Sequence, residues 1–222
     1  MTSIKSCLLL LALGIATLHQ SGAAVIPINN HSFENPILPD GQYTVNQMPG
    51  WIGLDSWFHV ANPANDWFAG TSAGSSLPNP IDGFNIAGIN TGTRIYQDLA
   101  AVLEGDATYT LTMLTGHRIG VPFGSPTVSL IAGGQVLAQA IPIAPVESRF
   151  SMFQLTYSSP HSGPMIGQSL RIEIQSSGES AQPWIDDLNL VVVPEPSTIT
   201  LGILGGIVTL ILVRSPKSST QL

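Results

Sequence analysis

Tyr109-Thr110-Leu111-Thr112-Met113-Leu114-Thr115 sets Tyr109, Leu111 and Met113 on one side of an extended chain and threonines on the other. A period of two belongs to a strand with one buried face, and β-branched threonine suits the pleated surface. Leu170-Arg171-Ile172-Glu173-Ile174-Gln175 repeats the pattern, with charged and polar residues outward. Between these two, residues 127–132 and 136–141 flank Gly133-Gly134, the signature of a two-residue hairpin turn. Further runs fall at 84–89, 94–99 and 150–157, separated by Gly, Pro, Asn and Ser. No stretch sustains a helical period over three turns, and one turn at 99–103 is the only helical candidate. Strands at this spacing predict an all-β fold, two antiparallel sheets stacked as a β-sandwich.

Residues 25–193 hold thirteen of the fourteen acidic residues but only four of the seven basic ones, a net charge of about −9. Such a surface repels polyanions, which excludes nucleic acid as a partner. About 170 residues suit one domain. The single cysteine, Cys7, lies in the N-terminal segment, so the body can hold neither a disulfide nor a Cys-ligated metal.

The two ends read as addresses. Lys5, the apolar residues 8–18 and the small residues Ser21-Gly22-Ala23-Ala24 form a secretory signal peptide over 1–24, removed by cleavage. At the other end, Val193-Pro194-Glu195-Pro196-Ser197-Thr198 runs into an apolar stretch ending at Val213, followed by Arg214 and Lys217. Residues 197–213 carry no charge and at about 1.5 Å per residue reach the lower limit for a transmembrane helix. The basic residues of 214–222 then mark its cytoplasmic end. This order of parts resembles the PEP-CTERM sorting signal, with Pro194, Glu195 and Pro196 as its motif. The resemblance implies a bacterial exported protein, anchored by one C-terminal span and processed by an exosortase. It would then pass to the cell surface or extracellular matrix, with exopolysaccharide as a further partner.

Asn30-His31-Ser32-Phe33-Glu34, Pro49-Gly50-Trp51 and Trp184-Ile185-Asp186-Asp187-Leu188-Asn189-Leu190 make a second set. It resembles the galactose-binding-like jelly rolls that include carbohydrate-binding modules. Asp186 shares strand parity with Leu188, Leu190 and Val192, which aims its carboxylate inward, where it needs donors or a cation. The resemblance implies that Glu34 on the first strand and Asp186 on the last hold a structural Ca2+, with backbone carbonyls completing its oxygen shell. A bulge that turns Asp186 to solvent, or a backbone hydrogen bond from a neighbouring strand, is the alternative.

Catalytic constellations are sparse. Gly70-Thr71-Ser72-Ala73-Gly74 matches a nucleophile elbow, but the turn-rich Ser75-Ser76-Leu77-Pro78 after it cannot be the helix that the elbow needs. Asp55, Ser56 and His59 lie near one another in sequence without forming a triad pattern. His31, His59, His117 and His161 stand singly, with no ligand spacing. Thirteen acids permit many glycosidase-like pairs and identify none. Trp51, Trp57, Phe58, Trp67 and Phe68 cluster in a polar segment; Trp57 and Trp67 suit a ligand platform, with core filling as the alternative. The expectation is a non-enzymatic structural or adhesive surface protein. A carbohydrate-binding module is the first alternative, a polysaccharide hydrolase or lyase the second.

Overall fold

A computed structural model describes residues 22–55, 57–63, 67–68 and 81–195. The expected signal segment up to residue 21, the transmembrane helix at 197–213, the basic tail and Pro196 of the sorting motif lie outside the described residues. Among the described residues no helix is long and apolar enough to cross a membrane. Pro194 ends the last strand and Glu195 follows it, exposed. Ala23–Val193 forms one compact unit.

Among the described residues, twelve strands run from β1 (Ala24–Ile26) through β2 (Tyr43–Val45), β3 (Ile52–Leu54), β4 (Phe58–Ala61), β5 (Ile86–Ile89) and β6 (Arg94–Val102). β7 (Ala107–His117), β8 (Thr127–Ala132), β9 (Gln135–Ala140), β10 (Phe150–Ser158), β11 (Ser169–Gln175) and β12 (Pro183–Pro194) complete them. One sheet is ordered β10-β7-β12-β5-β4-β2, with β1 also on β12, and the other β3-β6-β11-β8-β9. Neighbours pair antiparallel, as in β7 with β10 and β6 with β11. The fold is therefore all-β, two antiparallel sheets face to face. Gly133 and Gly134 both take positive φ, 54° and 82°, which the primed turn joining β8 to β9 requires.

The helical turn expected at 99–103 is absent. β6 stays paired with β11 as far as Val102 opposite Ser169, because its alternating pattern continues and leaves no helical face to bury.

Period-two alternation fills the space between the sheets. Tyr109, Leu111 and Met113 of β7 meet Ile172 and Ile174 of β11, Ile95 and Leu99 of β6, and Val128 and Leu130 of β8 in one core. β4 and β5 are buried on both faces. Val60, Ala87 and Ile185 face the sandwich core, so their neighbours Ala61, Ile86 and Trp184 project from the other side of the sheet. There they join Leu114, Phe150 and Phe68 in a second apolar cluster. This outer cluster positions the site described next.

Candidate functional site

Beside the outer cluster lies a cavity of about 330 Å³. It sits along one edge of the larger sheet, where antiparallel pairing brings the end of β2, the start of β4, the ends of β5 and β7 and the start of β12 together. Tyr43 and Val45 come from β2, Trp57 and His59 from β4 and the residue before it, and Trp184 from β12. Asn90, Arg118 and Gln182 line it from positions just beyond the ends of β5, β7 and β12. Trp67, preceding the buried Phe68, closes the list. A second hollow, of about 520 Å³ by β1 and β6, is lined mainly by aliphatic residues and gathers less chemistry.

Aromatic rings form the walls. Trp184 lies 5.4 Å from Trp67 and 5.8 Å from His59, ring centre to ring centre. Tyr43 meets His59 edge-on at 6.4 Å and Trp67 at 6.2 Å. The Arg118 guanidinium stacks 4.1 Å over Trp67. Trp57 is 61% exposed and stands at the mouth.

Gly88 of β5 explains how His59 and Trp184 come so close. His59, Gly88 and Trp184 lie in one row across the sheet. A Cβ on Gly88 would sit 2.8 Å from His59 and 2.9 Å from Trp184, so only glycine lets both rings lean over this strand.

The polar groups are wired to one another. Arg118 Nη1 donates to Gln182 Oε1 at 3.3 Å, which fixes the orientation of the Gln182 amide because a guanidinium only donates. Gln182 Nε2 then donates to Asn90 Oδ1 at 2.7 Å and meets His59 Nε2 at 2.9 Å. His59 Nε2 must accept that bond, so the imidazole proton rests on Nδ1. Burial pushes the His59 pKa below its ordinary value, the nearby Asn90 side chain opposes this, and the Arg118 charge lowers it further. His59 is therefore neutral near pH 7. Its Nδ1 and the indole Nε1 of Trp184 are buried with no hydrogen-bond partner among the described residues.

Trp57 and Trp67, singled out in the sequence as a ligand platform, thus line one cavity. Trp51 is buried instead, its ring tilted against Phe33 at 5.7 Å. Glu34 and Asp186 both reach the 82–85 segment: Glu34 Oε1 accepts from Phe84 N–H and Asn85 N–H, and Asp186 Oδ2 from Asp82 N–H at 2.7 Å. Asp186 is wholly buried, and Asp187 takes φ 48°. That kink lets Ile185 and Leu188, three positions apart, both enter the core, so Asp186 follows Trp184 to the outer side rather than Leu188 to the inner. Burial pushes the Asp186 carboxyl up to about 8, against hydrogen bonds from the Asp82 and Asp187 backbone. Among the described residues its Oδ1 has no hydrogen-bond partner. Next to it, His31, Asp82 and Asp187 place one ligand atom each within 4.8 Å of one another. Asp82 and Asp187 escaped the sequence reading because 105 positions separate them and only the fold joins them.

The cavity network escaped it for the same reason. His59, Asn90, Arg118 and Gln182 come from four segments with no spacing motif, and the only sequence signal was the aromatic cluster nearby.

Comparison with known proteins places this geometry. Residues 24–191 match the HpiC1-like family model, described as HpiC1 cyclase. A cyclase from Fischerella sp. TAU is 26% identical over 79% of this chain and 100% of its own, with a TM-score of 0.67. The Stig cyclase Fisc from the same organism, in complex with (3Z)-3-(1-methyl-2-pyrrolidinylidene)-3H-indole, gives the same values. A Fischerella sp. TAU cyclase bound to 4-(1H-indol-3-yl)butan-2-one is 26% identical over 78% of this chain and all of its own, with a TM-score of 0.65. Likeness to an α-L-arabinofuranosidase, at 16% identity and a TM-score of 0.50, is one of fold alone. No curated protein sequence matches the chain.

These matches overturn several expectations from the sequence. The family of the body is a cyclase family, not the PEP-CTERM proteins or the galactose-binding-like modules. A non-enzymatic surface or matrix protein, with exosortase and extracellular polysaccharide as partners, gives way to a cyclase family, and two of the similar Fischerella cyclase structures hold indole compounds. The physical reason is plain: the tail motif speaks only of an address, and the jelly-roll motifs are structural residues that unrelated chemistries can share.

Proposed function

The chain belongs to the HpiC1-like family of cyclases, and from that premise we propose that it closes a ring in a small aromatic substrate bound in the cavity between β2, β4, β5 and β12. The observation that carries this reading is the aromatic chamber itself: Tyr43, Trp57, Trp67 and Trp184 around a buried, neutral His59. Its volume suits a drug-sized molecule, and flat apolar walls favour an indole-like ring. Intramolecular bond formation needs a flexible chain held with its reacting atoms in contact, and stacked indole walls supply that confinement. His59 lines the wall of the chamber, and Gln182 holds its tautomer. The indole compounds in the two Fischerella complexes support an indole-bearing substrate.

The test uses an indole carrying an unsaturated side chain. Turnover gives a product of unchanged mass with one carbon–carbon double bond fewer by NMR. Trp67→Ala should lower kcat/KM by about tenfold, the worth of one aromatic contact. A panel of such indoles that neither turns over nor quenches tryptophan fluorescence would overturn the proposal.

We also assign the sandwich to the jelly-roll type, since from β5 onward the chain keeps crossing between sheets: β5 in one, β6 in the other, β7 back, β8 and β9 across, β10 back, β11 across and β12 back. A structural Ca2+ at the 82–85 segment belongs to the same proposal. The unsatisfied Asp186 Oδ1 and the carboxylates of Asp82 and Asp187 suit a hard cation, with His31 the weaker donor. Glu34 has one oxygen engaged by two backbone N–H groups and can offer its other.

A further inference from the structure

We propose that the chain pairs with a second copy of itself along β10, antiparallel about a two-fold axis at Gln154, so that the larger sheets of both copies run on as one. The pairing does not depend on the cyclase reading.

The two sides of the sandwich end differently. On one side the sheets end in β2 and β3, of three residues each, and edges this short offer little to a pairing strand. On the other side they end in β10 and β9, of nine and six residues, which lie beside each other. β10 matches β7 residue for residue from Phe150 to Ser158, with no bulge to twist its edge away. Alternate residues of an antiparallel edge strand turn N–H and C=O outward. Among the described residues, β7 is the only strand bonded to residues 151–158.

The other usual protections of an edge are missing here too. Residues 127–146 and 150–158 contain no charged residue, and neither β9 nor β10 contains proline. Large apolar side chains stand out along this side instead: Met152 of β10 is 62% exposed, Val136 of β9 54%, and Ile141 just after β9 58%.

Charge and symmetry point to the chain itself as the occupant. A body with a net charge of about −9 repels its own copy wherever acids face acids, and this uncharged side is where two copies can approach. The strand also complements itself, as a two-fold contact requires. With pairing centred on Gln154, the middle residue of β10, Phe153 lies opposite Leu155 of the second copy and prolongs the core between the sheets. On the outer face Met152 lies opposite Thr156, and Gln154 meets Gln154.

Sedimentation of the full chain across about 1–100 μM tests the pairing, with a reversible monomer–dimer equilibrium expected. Gln154→Lys sets two ammonium groups opposite each other, and Met152→Lys places a charge on the apolar edge. Each should raise the dimer Kd by about tenfold or more. Ile52→Lys, on the short edge strand β3, should leave Kd within about twofold. Both β10 positions are exposed, so unchanged thermal melting is expected of the two variants. In wild type, backbone amide exchange within 151–158 should slow as concentration rises through Kd, while that of 43–45 does not. This arm needs no variant to fold. A chain that stays monomeric throughout, a Kd that neither β10 variant moves, or exchange in 151–158 indifferent to concentration overturns the inference.

Discussion

Asp186 is the residue whose state most depends on what surrounds it. Its carboxyl is pushed up to about 8 by burial, so without a cation the native state holds a proton that the unfolded chain, at an ordinary value of 3.8, releases. Native protein then binds more protons than unfolded protein between these values, and stability falls as pH rises from about 4 to 8. Asp186→Asn removes the titrating group and should flatten that slope, gaining a few kcal/mol near pH 8 in chelator. A bound Ca2+ reverses the balance by keeping the carboxylate charged. At a concentration about a hundred times its Kd it should add about 2.7 kcal/mol to wild type and little to the variant. Melting curves of both proteins at several pH values, with calcium and with chelator, check this. A wild-type melting temperature indifferent to both pH and calcium would leave Asp186 balanced by hydrogen bonds alone. Legibility at this scale was uneven: Asp186 stood out as an inward-aimed carboxylate, whereas the kink at Asp187 that redirects it left no trace in residue type.

β5 shows how an element without chemistry of its own builds a site. Ile86-Ala87-Gly88-Ile89 is wholly buried, and Gly88 is the open slot under His59 and Trp184. Gly88→Ala should drive those rings apart, because neither neighbouring strand can move without breaking its ladder. The expected cost is about 1–3 kcal/mol. In a protein of this size that is a drop in Tm of roughly 2–10 °C. Affinity for 4-(1H-indol-3-yl)butan-2-one should fall with it. An alanine variant with unaltered melting and binding would mean that the rings swing aside freely and are not held. The strand itself was visible in the sequence as an apolar run. Its double-sided burial was not, since the second face is covered by Phe68, Leu114 and Phe150 from distant segments.

At the scale of the whole molecule, Ala23–Val193 holds both the sandwich core and the outer cluster. Expressed without the residues on either side, it should fold to a strand-dominated far-ultraviolet spectrum and bind the indolyl ketone as the full chain does. A helix-rich spectrum, or binding lost while the fold persists, would show that residues beyond this unit complete the cavity. Its acidity was plain from composition, and so was the sandwich. Alternation in 109–115 and 170–175 is a local property, because successive side chains of a strand must point to opposite faces whatever the rest of the chain does. The Gly133-Gly134 turn is equally local, since only a few residue types tolerate positive φ twice in succession. Sequence therefore determined the all-β class, the core face of the long strands and a body, 25–193, without cysteine. Tertiary structure decided the site, because Tyr43, His59, Asn90, Arg118, Gln182 and Trp184 meet only through strand order, and no periodicity within one strand records which strand will lie beside it.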